Sequence, residues 1–439
     1  MKYRQLSILY IPSLLFGFDI IALGMLIPYF SETFNISIPI AQLFISLNSF
    51  ILALSLIPAG KLCDFIGDKN TIITGLILVS LSSILIIIES QFYTILFIRI
   101  FMAIGNGLVL IGTLSLIHNK TTKNMKAKLI AYWSFFAGLG MIIAPLLTPI
   151  LVDATHWKSI FFITSLTAII TALLLKLTPS IYNQTTIVKT TKVNNLLYLT
   201  VFFWAIISLI VLASLKLGFI LINTYFIIII LFIVTIFLTV FLYKIVKKYT
   251  KDYPISYFIA IFIGSFGYFA GGVSIASCSL CFWMISIDGY SLNKTSTIML
   301  AFTLAYTLSP IISAKFLRYL SIKQFVYIGL SLLLFGMVSF FILSTIKSSA
   351  YYYMISYVFL GSGCGLVNPY SAALALEKIG HLTTGGASGM LLTCKWLSSA
   401  MGVAITSIIW TSFSNPILPL LVMFIFLFCI SIYLLKKLS

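Results

Sequence analysis

Three ionisable side chains stand inside long apolar runs, and they are where this chain could do chemistry. Asp19 lies in Phe16-Gly-Phe-Asp-Ile-Ile-Ala-Leu-Gly24, Arg99 in Phe97-Ile-Arg-Ile-Phe-Met-Ala-Ile-Gly-Asn-Gly107, and Lys395 in Leu391-Leu-Thr-Cys-Lys-Trp-Leu397. Centring such a charge in an apolar helix within a bilayer costs roughly 2.5–3.5 kcal/mol on insertion scales. Such residues face a cavity or a partner and are functional hypotheses by default. An acid held between a desolvating wall and a cation can take up and release a proton. Asp19 therefore has two readings: a proton carrier, or a permanent structural partner of Arg99 or Lys395. Arg99 requires an anion or several carbonyls, unless it reaches a membrane surface.

A second constellation is Gly60-Lys-Leu-Cys-Asp-Phe-Ile-Gly-Asp-Lys69. Gly60 and Gly67 permit a tight turn and close helix approach. Asp64 can cap a neighbouring helix N-terminus or pair with a cation. The stretch is expected to be the loop between the second and third spans.

The elements that must carry these residues are membrane helices. Hydrophobic residues make up 61% of the 439 and charged residues only 8%, more apolar surface than a soluble domain can hide. A span takes about 20 apolar residues, and a backbone in lipid must satisfy its own hydrogen bonds. Runs such as 227–242 are apolar on nearly every face, which a barrel strand is not. Fourteen spans are expected: 7–30, 40–59, 71–89, 92–117, 129–151, 159–176, 195–215, 218–243, 256–287, 295–314, 324–345, 350–376, 384–410 and 415–435. The first is too long for a cleavable leader and lacks a small-residue cleavage site.

Basic residues test that count. With a cytoplasmic N-terminus, 21 of the 27 Lys and Arg fall on the cytoplasmic side. Only Lys158, Lys216, Lys294 and Lys347 fall outside, with Arg99 and Lys395 within spans. A miscount would reverse the sides beyond the error, so the bias supports both count and orientation. Both termini are expected to be cytoplasmic. The net charge of +18 follows from topology, and no basic or aromatic-rich soluble segment suits nucleic acid.

The polar stretch 177–194 and the basic stretch 244–254 bracket two nearly featureless spans. The expected organisation is a six-helix bundle over 1–178, a linker with a two-helix insert over 179–254, and a second six-helix bundle over 255–439. Two such bundles around a midplane site are a known transporter architecture. The cysteines and histidines form no ligand set. Cys278 and Cys281 share a span without a His or acid nearby, which fits small-residue packing. No metal and no cofactor are expected, and no nucleophile–base pair suggests an enzyme.

These residues resemble the major facilitator superfamily, and more narrowly its 14-span drug:proton antiporter family. Gly60, Leu62, Asp64, Gly67 and Lys69 match its Gly-x-Leu-Ala-Asp-Arg-x-Gly-Arg-Lys motif, with Phe65 and Asp68 at the usual Arg positions. Asp19 and Pro28 match the first-span Asp…Ala-Leu-Pro motif. Arg99, Gly105 and Gly107 are similar to the fourth-span Arg-x-x-x-Gly-x-Gly pattern. Gly140 and Pro145 are similar to the fifth-span antiporter motif, whose other glycines are Ala144, Thr148 and Pro149 here. The segment His156-Trp-Lys-Ser-Ile-Phe161 resembles Trp-Arg-Trp-x-Phe. Gly386-Ala-Ser-Gly389 with Lys395 and Gly402 resembles Ala-Ser-Gly…Arg…Gly.

The resemblance implies an all-α polytopic protein of two bundles and an insert. It implies proton-coupled export of amphipathic organic compounds by alternating access, with Asp19 and Arg99 in proton coupling. Gly60, Asp64, Gly67, Lys69, Gly140 and Pro145 would serve gating. Lys395, Trp133, Trp283, Trp396, Asn48 and Asn368 are candidate substrate-lining residues, against a packing or lipid-facing role for each. The expected partners are a small-molecule substrate, protons and the lipid bilayer, with no nucleic acid. The chain is expected to be a monomer in a bacterial inner (plasma) membrane. A dedicated carrier of one metabolite or siderophore and a non-transporting membrane receptor or scaffold are the alternatives.

Overall fold

The turn that ends the first long helix shows how the sequence sets this architecture. In this computed structural model Gly67 has φ 87° and ψ 153°, a conformation open to glycine and essentially closed to other residues. Its N–H donates to the carbonyl of Cys63 at 3.0 Å, and its carbonyl accepts from Thr71 N at 3.1 Å and Thr71 Oγ1 at 2.9 Å. One residue thus ends α3 (Ile38–Ile66) and starts α4 (Asp68–Ile88). The expected loop over 60–69 is therefore corrected: Gly60 and Asp64 lie in the last turns of α3, and Lys69 in the first turn of α4. Nothing approaches a Cβ placed on Gly60 within 4 Å, so close helix approach is not its role here.

The structure describes residues 8–120, 123–154, 156–178, 255–270, 280–346, 349–377, 384–412 and 417–437. Before α3 come α1 (Tyr10–Met25) and α2 (Ile27–Thr33); after α4 come α5 (Phe92–Lys120), α6 (Lys123–Ala154) and α7 (Ser159–Leu177). The later helices are α8 (Ile255–Ala270), α9 (Leu280–Ser286), α10 (Leu292–Ala314), α11 (Ile322–Thr345), α12 (Ala350–Glu377), α13 (Thr384–Ser412) and α14 (Ile417–Lys436). The expected spans 195–215 and 218–243, with Lys216 and Lys347, lie outside the described residues. The other twelve expected spans each hold at least one helix. Of the described helices, 7 are long and apolar enough to cross a membrane, and α1 with α2 makes 8. That pair bends by 54°, because Pro28 lacks an N–H and its ring crowds the carbonyl four residues back.

Helix faces are arranged for lipid. In α7, Phe162, Leu166, Ile169, Ile170, Leu173 and Leu174 are exposed, while Thr164, Ser165 and Thr171 are buried. The apolar stripe faces out and the hydroxyls face in, as in membrane helices that associate through small and polar residues. Ser80 of α4 and Ser165 of α7 share a hydrogen bond of 2.9 Å.

Contacts follow one plan twice. Among α1–α7, α1 packs on α6, α3 on α5, α4 on α5 and α4 on α7; among α8–α14, α8 packs on α13, α10 on α12, α11 on α12 and α11 on α14. The same glycines recur at the same crossings. A Cβ on Gly75 would meet the Gly105 carbonyl at 2.7 Å, and one on Gly363 would meet the Gly329 carbonyl at 2.7 Å. A Cβ on Gly107 would strike Ser55 Oγ, and one on Gly365 would strike Ser309 Oγ. The Gly105-Asn-Gly107 and Gly363-Cys-Gly365 pairs thus play one role in two copies. The copies meet where α3 packs on α13 and α6 on α10. There Thr307 Oγ1 donates to the Gly138 carbonyl at 3.3 Å, and Asn293 Nδ2 to Asp153 Oδ2 at 3.5 Å.

Candidate functional site

Two backbone crossings fix the position of Asp19. A Cβ on Gly17 would overlap the carbonyl of Ala137, and one on Gly140 would overlap the carbonyl of Leu14. α1 and α6 therefore touch backbone to backbone within one turn of Asp19. The expected gating residue Gly140 acts here as the close-packing point of α1, and Pro145 is buried in the same helix.

Opposite, α5 presents Arg99, 2% exposed. Its Nη1 lies 3.6 Å from Asp19 Oδ2 and donates to Met102 Sδ at 3.0 Å. The guanidinium carbon stands 4.7 Å over the Phe44 ring and 6.0 Å from that of Phe161. Asp19 Oδ1 and Arg99 Nε have no hydrogen-bond partner. Arg99, not Lys395, is thus the cation of Asp19. The pair is buried yet loosely bonded, so the carboxylate keeps capacity for another ligand. Phe30, Phe34, Phe92 and Trp157 continue the aromatic cluster beyond Phe44 toward α2, with Trp157 5.0 Å from Phe30.

Two cavities meet at Asp19. The smaller lies between α1, α3, α5 and α13 and is lined by Asp19, Asn48, Ser49, Arg99, Asn106 and Trp396 among others. Asn48 Oδ1 and Ser49 Oγ there are unpartnered. The other, the larger, lies within the first set of helices and includes Ser13, Asp19, Asn106, Thr113, Trp133 and Thr164 in its walls. Of the residues expected to line a substrate site, Asn48 and Trp396 stand in the wall of the smaller cavity and Trp133 in that of the larger.

Lys395 occupies a separate place. Its Nζ donates to the carbonyl of Asn368 at 2.8 Å and lies 5.4 Å over the Tyr268 ring. Asn368 Nδ2 reaches Tyr306 Oη at 3.5 Å. Lys395 forms no ion pair with a described residue. Edge contacts join Tyr268 to Trp396 and Trp396 to Phe16, at 5.6 and 5.4 Å between ring centroids, so this cluster abuts the smaller cavity. Trp283 is buried in α9 and lines neither cavity. Lys69 Nζ donates to the Thr178 carbonyl at 2.9 Å, past the end of α7. The Asp64 side chain lies outside the described set.

Sequence reasoning passed over Phe44, Met102, Asn106, Thr113 and Phe161. A signal existed for two of them. Arg99, Asn106 and Thr113 are spaced by seven, which puts them on one face of α5.

The turn at 156–158 has a structural role. Lys158 Nζ donates to the carbonyls of Ile87 at 2.9 Å and Glu89 at 2.7 Å, closing the end of α4. Glu89 Oε1 accepts from Ser90 N and Gln91 N, both at 2.8 Å. The N–H groups of Gln91 and then Ser90 hold its carboxyl below the usual glutamate range.

A duplicated helical array whose long apolar helices turn apolar faces outward is the build of a multi-pass membrane protein. The model of the Major Facilitator Superfamily matches residues 9–403, and the chain belongs to that family. It is a transporter rather than an enzyme. Among curated relatives, it is 22% identical over 394 residues to the quinolone resistance protein NorB of Staphylococcus aureus (strain Newman), covering 89% of this chain and 84% of NorB. It is 25% identical over 133 residues to the uncharacterized MFS-type transporter YvkA of Bacillus subtilis (strain 168), and 24% over 136 residues to the riboflavin transporter RibZ of Clostridioides difficile (strain 630). Those two matches span only 30% of each relative and 30% and 31% of this chain. A solved structure of a POT family transporter in complex with 5-aminolevulinic acid superposes with TM-score 0.75 at 15% identity, over 99% of this chain and 97% of that one. That likeness concerns the fold.

Proposed function

We propose that this chain is a proton-coupled exporter of amphipathic organic compounds that works by alternating access. The buried Asp19–Arg99 pair at the meeting of two cavities carries the reading. A proton on Asp19 removes the charge facing Arg99, so the pair is strong in one protonation state and weak in the other. An equilibrium between two access states can shift only through such a differential interaction. Substrate would lie between the two sets of helices, against Asn48 and Trp396, with Lys395 disfavouring dications. The name of NorB, a quinolone resistance protein, supports amphipathic drug-like substrates; that of RibZ supports a dedicated carrier as the second reading. The proposed organisation is a bundle over 1–178, an insert over 179–254 and a bundle over 255–439, a monomer in a bacterial inner membrane with both termini cytoplasmic. The bias of basic residues supports that orientation.

The test is flux in proteoliposomes with an imposed pH gradient, across a panel of amphipathic dyes, quinolones and flavins. Asp19→Asn should abolish gradient-driven accumulation while the purified protein remains folded. Wild-type flux in Asp19→Asn would remove Asp19 as the proton carrier. Transport of flavins alone would favour the dedicated carrier.

A further inference from the structure

We infer that the larger cavity is a proton route from Asp19 to one membrane face, running inside the first set of helices and separate from the substrate cleft. The inference rests on the proton-coupled reading above and adds the path.

The two cavities differ in which helices enclose them. The smaller includes Trp396 of α13, so it lies where the two sets of helices meet. Among the described residues, the larger is walled by α1, α4, α5, α6 and α7. They share Phe16, Asp19 and Asn106. Asp19 therefore opens on both sides: toward the other half of the molecule, and into the interior of its own half.

The cavities also point in opposite directions along the helix axes. The larger reaches Pro12 and Ser13 near the start of α1, Thr113 in the later half of α5, and Trp133 in the early half of α6. Those segments approach the membrane face that holds the Gly67 turn. The smaller reaches Leu23 of α1, Ile45 of α3 and Arg99 of α5, on the far side of Asp19. The carboxyl thus sits at the junction of two half-paths.

The walls of the larger cavity are suited to protons and hostile to bulk solute. Leu15, Leu76, Val79, Val109, Leu110 and Ala168 form most of it. Polar groups recur at intervals: Asp19, Asn106, Thr113 and Thr164. Thr113 is 1% exposed, and its Oγ1 has no partner. Asp19 Oδ1 is likewise unpartnered. Buried polar atoms of this kind are ordinarily satisfied by protein or by water. A short file of water along Asn106 and Thr113 would satisfy both and would pass protons by exchange of hydrogen bonds. An amphipathic organic molecule would find no exit among helices that pack through Gly17, Gly75, Gly105 and Gly140.

The seven-residue spacing of Arg99, Asn106 and Thr113 supports one continuous track. Arg99 marks the far side of Asp19, Asn106 the junction, and Thr113 the near side. A proton leaving Asp19 along this track would not cross the substrate.

The experiment plugs the track without touching the cleft. Val109→Phe fills the cavity wall; Thr113→Val keeps shape and removes the hydroxyl. Each variant is reconstituted and assayed in two ways: accumulation driven by a pH gradient, and exchange of labelled for unlabelled substrate at equal pH. The expected result is at least a tenfold loss of gradient-driven accumulation, with exchange within twofold of wild type. Gradient-driven accumulation within twofold of wild type in Thr113→Val and in a folded Val109→Phe overturns the route. Equal loss of both activities in a folded Thr113→Val also overturns it, because the cavity would then serve substrate. Asp19→Asn is measured alongside. If that variant also transports uphill, the proton-coupled reading itself fails; if it does not, only the path fails.

Discussion

Removing one member of the Asp19–Arg99 pair should destabilise the protein far more than removing both. Arg99→Met keeps an apolar side chain of similar reach against Met102, Phe44 and Phe161, but leaves the Asp19 carboxylate without its cation. At 3.6 Å and an effective dielectric of about 20, the attraction lost is about 4–5 kcal/mol. The cation–π contact with Phe44 at 4.7 Å adds roughly 1–2 kcal/mol. Relief from desolvating the guanidinium offsets part of this, so a net loss of about 3–5 kcal/mol is expected for a broken buried pair. Asp19→Asn leaves the reverse orphan, a buried guanidinium, and should cost a similar amount. The double variant carries neither charge and should lie within about 1 kcal/mol of wild type or above it. The assay is thermal unfolding of all four proteins, purified in one detergent at pH 7. Each single variant should unfold roughly 3–5 °C lower, and the double variant should recover most of that. Additive losses in the double variant would refute a direct interaction between the two charges.

Three further outcomes follow from other parts of the structure. Gly67→Ala should cost roughly 1–3 kcal/mol, read as a lower unfolding temperature, because a side chain is strained at φ 87°; an unchanged temperature would show that the α3–α4 turn relaxes freely. Gly140→Ala should force α1 from α6 at the Leu14 carbonyl and destabilise by roughly 1–3 kcal/mol, with gradient-driven flux falling too; wild-type values of both would refute the crossing. Glu89→Gln weakens two N–H bonds to a carboxylate. Because the folded carboxyl is held low, its contribution is present above the ordinary carboxylate range of about 4 and fades as pH falls through the lower folded value. The stability gap between Glu89→Gln and wild type should therefore be open at pH 7 and closed in strong acid, and a gap independent of pH would count against the turn.

How much of this was legible beforehand depended on whether a feature is local. Asp19 and Arg99 stood out because a charge in an apolar run is visible within one helix. Their pairing was not, since Arg99 and Lys395 are equal candidates until helix register is known. That register is set by Gly17 against Ala137 and by Gly75 against Gly105, contacts between segments distant in sequence. The 60–69 stretch was read as a loop because its charges and glycines resemble one. Only Gly67 leaves helical geometry, and a helix can run past the apolar boundary when its end emerges into a polar zone. Trp283 was chosen for its residue type, and Trp residues pack in cores as readily as in clefts. Asn106 was quoted within a motif and passed over, although its spacing from Arg99 already put both on one face.

The duplicated glycine crossings have a mechanical consequence. Where a main chain rests directly on another main chain, no side chain can yield, so α4 on α5 and α11 on α12 cannot shear within their halves. Compliance is left to the seams, α3 with α13 and α6 with α10; at the latter the hydroxyl of Thr307 and the amide of Asn293 make polar links. Two stiff blocks meet along those seams, and Asp19 and Arg99 both ride on the same block. Rocking the blocks would carry the charged pair as a unit, changing what it faces while its own 3.6 Å separation stays fixed.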